Sequence, residues 1–328
     1  MSKPHSRPYD DILDTIGWTP LVRVGRLAEG IRTPLYLKVE SFNPAASVKD
    51  RIGVAIVDAA ERSGELKPGG TIVEGTAGNT GLALAMVAAV RGYDCVFTVP
   101  DKMSDEKVKL LRAFGAEVRL VPTVPPDHPE YYGTVARRIA EERPGAVLAD
   151  QFYNPANPAA HEATTGPEIW EQTGGAVTHF VASAGTGGTI TGAARYLKSR
   201  NPDVRVIAGD PKGSVYAHYK RTGELIEGER YKVEGIGNDK IPGTLDVDLV
   251  DEFRTVDDGT AFRTARRVTR EEGILAGGST GLIVSVALEV AAELDDPEAC
   301  VVALFCDTGE RYLSKLYDDE WMKENGFL

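Results

Sequence analysis

A lysine in the first turn of a helix is a cation in an unfavourable place, and Lys49 in Ser41-Phe42-Asn43-Pro44-Ala45-Ala46-Ser47-Val48-Lys49-Asp50-Arg51 has that position. Pro44 ends extended chain, Ser47 is a good N-cap, and Ile52, Ala55, Ile56, Ala59 and Ala60 follow the i, i+3, i+4 rule. The spacing predicts a helix over 48–63. Its macrodipole is positive at this end and favours Asp50 over Lys49. An amine held against that field loses its proton more readily, and a neutral amine can attack a carbonyl to form a Schiff base. The competing reading is a solvated surface lysine, and the rest of the chain has to decide between them.

Four glycine-rich turns bear on that choice. Glu74-Gly75-Thr76-Ala77-Gly78-Asn79-Thr80-Gly81 joins a strand to a helix running from Thr80, and its amides suit a carboxylate or phosphate. The alternative is a tight turn with Asn79 as N-cap. Ser183-Ala184-Gly185-Thr186-Gly187-Gly188-Thr189-Ile190-Thr191-Gly192 also follows a strand and opens a helix. Its small residues let N–H groups approach an anion, and the hydroxyls of Thr186 and Thr189 can donate too. Glu234-Gly235-Ile236-Gly237-Asn238 allows backbone to pass against a planar ligand or to hinge. Gly277-Gly278-Ser279-Thr280-Gly281 matches G-x-S-x-G.

Several chemistries fail on detail. A hydrolase elbow needs a histidine after its serine, yet the last histidine is His218, so Ser279 reads as an N-cap or as a donor to something buried. The dinucleotide fingerprint from Gly185 would need Gly at Ile190, and the P-loop lacks its Lys-Ser/Thr pair. A phosphate is indicated, and a nucleotide is not. His161-Glu162 begins like a zinc-protease motif, but Thr165 stands where the second histidine belongs, so no metal is expected.

The elements that must position these residues alternate. Strands are expected at Leu35–Val39, Thr71–Glu74, Cys95–Val99, Glu117–Val121, Ala146–Ala149, His179–Ala182, Val204–Ala208 and Cys300–Phe305. Helices are expected at Val48–Ser63, Thr80–Arg91, Ser104–Phe114, Tyr131–Glu142, Pro158–Thr173, Gly188–Ser199, Gly259–Glu272 and Leu282–Leu294. Gly64, Gly92 and Gly115 stand where C-terminal caps belong. The alternation implies an α/β fold with mostly parallel sheets covered on both faces. Residues 122–129 carry four prolines in a stiff loop, and 213–246 is long and irregular, a candidate lid.

With 328 residues, 42% apolar and 26% charged, the chain reads as soluble and globular, with room for two lobes. A net charge of −12 with no basic cluster argues against a grip on nucleic acid or an anionic membrane. The longest apolar run, Leu82 to Val90, is too short to cross a bilayer, and the polar N-terminus shows no secretory signal. Cys95, Cys300 and Cys306 form no CxxC pair, so reduced thiols in a cytoplasm are expected.

In this order, SFNPAASVKDR, GTAGNTG, SAGTGGTITG and GGSTG resemble the pyridoxal-phosphate enzymes of β-replacement, the cysteine synthase and cystathionine β-synthase family, from about Asp11 to Phe327. The resemblance implies fold type II, tryptophan synthase β-like: two doubly wound lobes with the cofactor between them. Residues 1–45 plus 152–328 would form the larger, cofactor-binding lobe, and 46–151 a smaller mobile lobe closing over substrate. It also implies a homodimer.

By the same resemblance Lys49 matches the Schiff-base lysine and Asn79 the partner of the pyridoxal 3′-oxygen. Gly185, Thr186, Gly187, Gly188 and Thr189 match the phosphate cradle, and Ser279 the partner of the pyridine nitrogen. Thr76, Ala77, Gly78, Asn79 and Thr80 match the substrate-carboxylate loop, with Gln151 and Gly235 also on the substrate side. An amino acid then displaces Lys49, whose amine takes the Cα proton, and loss of the β-substituent leaves an aminoacrylate to which a thiol adds. A serine at the ring nitrogen makes a weaker electron sink than an aspartate, which limits transamination.

Finer features favour the cystathionine β-synthase branch, joining L-serine to L-homocysteine. They are Asp101 to Val108, Gly237-Asn238-Asp239, and the tail from Asp318 to Phe327. The alternative is the cysteine synthase branch, which uses O-acetylserine or O-phosphoserine and sulfide. Ala77 replaces the usual serine, Asn238 stands where many cystathionine synthases have tyrosine, and Gly309-Glu310-Arg311-Tyr312 is closer to cysteine synthase. Lacking the haem segment and regulatory pair of animal enzymes, the chain is expected to bind no haem and to escape adenosylmethionine control.

Overall fold

Short β-branched runs separated by amphipathic helices can bury both faces of a strand only if the helices cover the sheet from two sides. The computed structural model describes residues 8–76, 78–103 and 105–328. In chain order its elements begin with β1 (Leu21–Arg23), β2 (Leu35–Val39), α1 (Lys49–Ser63), β3 (Thr71–Gly75) and α2 (Asn79–Arg91). There follow β4 (Asp94–Pro100), α3 (Asp105–Ala113), β5 (Glu117–Val121), α4 (Tyr132–Glu142), β6 (Ala146–Leu148), α5 (Ala156–Ala163) and α6 (Thr165–Gln172). The remainder is β7 (His179–Ser183), α7 (Gly188–Arg200), β8 (Arg205–Pro211), α8 (Tyr216–Thr222), β9 (Glu252–Val256), α9 (Asp258–Arg267), α10 (Gly278–Leu294), β10 (Val301–Phe305) and α11 (Asp319–Glu324).

The chain divides into two compact units. The first comprises the described residues up to Ile16 and Asn43–Asn157, and the second Gly17–Phe42 and Pro158–Leu328. Unit 1 has a four-stranded, all-parallel sheet in the order β5-β4-β3-β6. Every residue of β3 is buried, as a central strand covered on both faces should be. Unit 2 has six strands in the order β1-β2-β10-β7-β8-β9, parallel except for the short β1 at the edge. In both sheets the chain reverses its direction of winding beside a central strand, at β3 against β6 and at β7 against β10. Open α/β sheets bind ligands at the carboxyl ends of such strands.

Gly64, Gly92 and Gly115 end their helices in the left-handed region, as expected. Other boundaries differ for local reasons. The helix expected over 158–173 is two, broken at Thr164, whose φ of −129° is not helical and whose hydroxyl turns back to the Ala160 carbonyl at 2.6 Å. The helix expected to reach Glu272 closes its last turn as a π-helix over Val268–Glu272. Glu272 accepts the amides of Gly25 and Leu27 at 3.0 and 2.6 Å, holding the first segment of unit 2. Helix α10 starts four residues earlier than expected, within the glycine cluster.

Residues 213–246 are fastened at several points. Val233, Ile236 and Leu245 are buried, whereas Leu225 and Ile226 are exposed. Glu229 N–H donates to the Gly213 carbonyl at 2.8 Å, and Gly237 N–H to that of Ala184 at 2.7 Å. Among the described residues no helix is long and apolar enough to cross a membrane.

Candidate active-site residues

In unit 1 the start of α1 is shaped by buried Asp50. Its Oδ2 accepts the Ala45 amide at 2.6 Å, and its Oδ1 accepts the Ser47 hydroxyl at 3.2 Å. Asn43 Nδ2 donates to the Ser47 carbonyl at 3.0 Å, and Ala46 is driven into the left-handed region with φ 57°. Ser47 was expected as N-cap, but that position belongs to Val48, which has helical torsions. Ser47 acts from one residue further out, accepting the Lys49 amide at 3.2 Å. Lys49 is half-buried in the first turn.

The loop after β3 and the turn after β6 meet within unit 1. Thr80 Oγ1 donates to Gln151 Oε1 at 2.6 Å, and Thr76 Oγ1 accepts the Gly78 amide at 3.2 Å. Asn79 is the first residue of α2, and Gly78 takes the N-cap position, so the capping alternative for Asn79 does not apply. Ala77 lies outside the described residues. Buried Glu74 accepts the Gln151 amide at 3.3 Å. Burial pushes its carboxyl up to about 8, against the pull of amides from Gln151, Gly75 and Asp150, so Glu74 is largely neutral at pH 7.

In unit 2 the loop after β7 runs through Gly187, the N-cap of α7, with φ 83°. The N–H groups of Gly185, Gly187 and Thr189 find no acceptor among the described residues, as the first amides of a helix require when an anion is to be their partner. No other residue fits two of these positions. A Cβ on Gly185 would lie 2.3 Å from the Gly235 carbonyl oxygen, and one on Gly187 2.4 Å from Leu245 Cβ. The structure thus brings Gly235 against the cradle.

Ser279 is the second residue of α10, not its N-cap, which is Gly277. It is buried. Gly277 N–H donates to the Asp307 carbonyl at 3.2 Å, which fixes the start of α10 to the loop after β10.

Sequence reasoning assigned no role to several residues that support these sites. His161, met only as a failed zinc motif, is buried with Nε2 3.1 Å from Thr189 Oγ1 and Nδ1 2.8 Å from Thr165 Oγ1. Asp210, at the end of β8, is raised by burial to about 6, although the Ser214 hydroxyl and the Ala217 amide both favour its anion. Glu74 stood in a quoted motif, but its burial is set by strand pairing that one sequence does not display. Among the described residues no group of three or more His, Cys, Asp or Glu could hold a metal.

Unit 1 thus offers a half-buried lysine at a helix start, and unit 2 an uncharged set of helix-start amides. The chain belongs to the pyridoxal-phosphate-dependent enzymes, whose family pattern matches residues 12–307. It is 46% identical over 321 residues to cystathionine β-synthase of Oryctolagus cuniculus, covering 97% of this chain and 58% of that one. Against cystathionine β-synthase of Saccharomyces cerevisiae it is 41% identical over 328 residues, covering 96% of this chain and 64% of that one. The chain therefore spans about three-fifths of the length of these relatives. A crystal structure of O-ureido-L-serine synthase aligns with a TM-score of 0.88 and 42% identity, over 97% of this chain and all of that one.

Proposed function

We propose that this protein catalyses pyridoxal-phosphate-dependent β-replacement on serine or an O-activated serine, and that its first reaction is L-serine plus L-homocysteine giving L-cystathionine and water. When bound, the cofactor supplies an aldehyde for condensation with amines and a conjugated ring that accepts electrons from the substrate Cα. Lys49 would be the amine that holds it and the base for the substrate Cα proton. The amides of Gly185 through Thr189 and the hydroxyls of Thr186 and Thr189 hold the phosphate. Buried Ser279 would serve the ring nitrogen, and Asn79 the 3′-oxygen. Thr76 through Thr80, Gln151 and Gly235 orient the amino acid. The observation that carries the reading is the half-buried Lys49 in a chain whose unit 2 presents unpaired amides at an uncharged cradle.

A second reading is the use of an O-activated serine with a smaller nucleophile. It is supported by the full-length likeness to O-ureido-L-serine synthase.

Reduction of the purified protein with borohydride and mass spectrometry should find a pyridoxyl adduct on Lys49, and Lys49→Ala should lower turnover by about a thousandfold or more. Parallel assays offer serine with homocysteine and O-acetylserine with sulfide. Fast cysteine formation without cystathionine would replace the first reading by the second, and an unreduced rate in Lys49→Ala would end both.

A further inference from the structure

Three consecutive carbonyls of the phosphate loop are held by one stretch of chain. The Ala184 carbonyl accepts the Gly237 amide at 2.7 Å, that of Gly185 the Tyr216 hydroxyl at 2.7 Å, and that of Thr186 the Thr244 hydroxyl at 2.6 Å. In a planar trans peptide the N–H points opposite to the C=O. Fixing the carbonyls of 184, 185 and 186 therefore fixes the N–H groups of Gly185, Thr186 and Gly187 pointing away from those donors. Gly187 in the left-handed region completes the turn that gathers successive amides into a concave anion site.

We propose that Tyr216 and Thr244 are positioning residues for the cofactor phosphate. They touch neither phosphate nor substrate, and act by turning the peptide planes of the cradle before the anion arrives. A loop free to rotate these peptides would spend binding energy on ordering them, so preorganisation appears as affinity for the phosphate alone. The donors are themselves fixed. The ring of Tyr216 is fully buried beside Phe253, with centroids 6.2 Å apart. Beyond Thr244, the Asp246 amide donates to Thr191 Oγ1 at 2.9 Å, fastening the stretch to α7.

The inference rests on the pyridoxal-phosphate reading, and its test separates the two. Apoprotein is titrated with pyridoxal 5′-phosphate and with pyridoxal, which has the aldehyde but no phosphate, and the coloured lysine adduct is followed by visible absorbance. Tyr216→Phe and Thr244→Val should each weaken pyridoxal 5′-phosphate by about tenfold, near the upper worth of one hydrogen bond, and leave pyridoxal within about twofold. Competition by inorganic phosphate should weaken in parallel, and Thr244→Ser, which keeps the hydroxyl, should restore wild-type values. Equal loss for both aldehydes, or no loss in a variant whose apoprotein melts like wild type, overturns the inference. If Tyr216→Phe does not fold, the contrast of Thr244→Val with Thr244→Ser decides alone. A wild type that forms no coloured adduct with either aldehyde overturns the cofactor reading and the inference together.

Discussion

The loop after β3 and the loop after β7 have the same plan, a parallel strand running through glycines into a helix N-terminus, yet they are held differently. After β7, Gly187 and Thr189 are buried, and successive carbonyls are occupied from behind by Gly237, Tyr216 and Thr244. After β3, Gly78 is exposed, Thr80 reaches Gln151, Thr76 Oγ1 accepts the Gly78 amide, and a buried carboxyl, Glu74, lies beneath. Under the proposed function the first arrangement suits an anion bound through every turnover. On the same reading the second suits a carboxylate that must arrive and leave, and it carries a group whose charge depends on pH.

The sharpest way to break this contrast is to add one carbon to the rigid loop. Gly187→Ala would need a left-handed alanine and would press Cβ to 2.4 Å from Leu245, so cofactor affinity should fall by roughly a hundredfold or more in an absorbance titration. An affinity within tenfold of wild type would mean that the cradle yields more than its contacts suggest.

A smaller effect concerns Glu74. Its native carboxyl titrates at about 8 against an ordinary 4.5, so the native state binds the proton more tightly than the unfolded chain. Its contribution to stability is complete below pH 4.5 and is lost as pH rises through about 8. Urea unfolding of wild type and Glu74→Gln across that window should show wild type losing on the order of 3 kcal/mol relative to the variant. Parallel curves would contradict the burial of an ionisable Glu74.

The smallest change is expected at Gly78→Ala. No atom lies within 4 Å of the added Cβ, and its φ of −109° suits any residue, so unfolding free energy should stay within about 0.5 kcal/mol of wild type. A loss above 2 kcal/mol would show this loop to be as constrained as its counterpart.

Much of this organisation was legible in the chain. The positions of β3, β7 and β10 follow from short apolar runs, and the four motifs placed the residues that open α1, α2, α7 and α10. Less legible were elements whose residues make no pattern of their own. Strand β1 has only three residues, and β9, Glu-Phe-Arg-Thr-Val, is a half-exposed edge with charges among its side chains. Glycines 277, 278 and 281 hid the first turn of α10, because close packing against Ala261 and Phe262 rather than propensity sets that boundary. The support behind the phosphate loop was invisible because Tyr216 and Thr244 lie far from it in sequence, inside a stretch with no periodicity.

One feature of unit 2 bears on how the protein is made. Its sheet places β2, from the first forty residues, directly beside β10, among the last thirty, and β10 in turn separates β2 from β7. A chain emerging from the ribosome can assemble the neighbouring strands of unit 1 early, since their pairings are comparatively local. Strand β10, which joins β2 to β7, is translated after both of its partners. Nascent chains halted before residue 301 should therefore leave β2 and β7 as unpaired edges, the species on which chaperones would act.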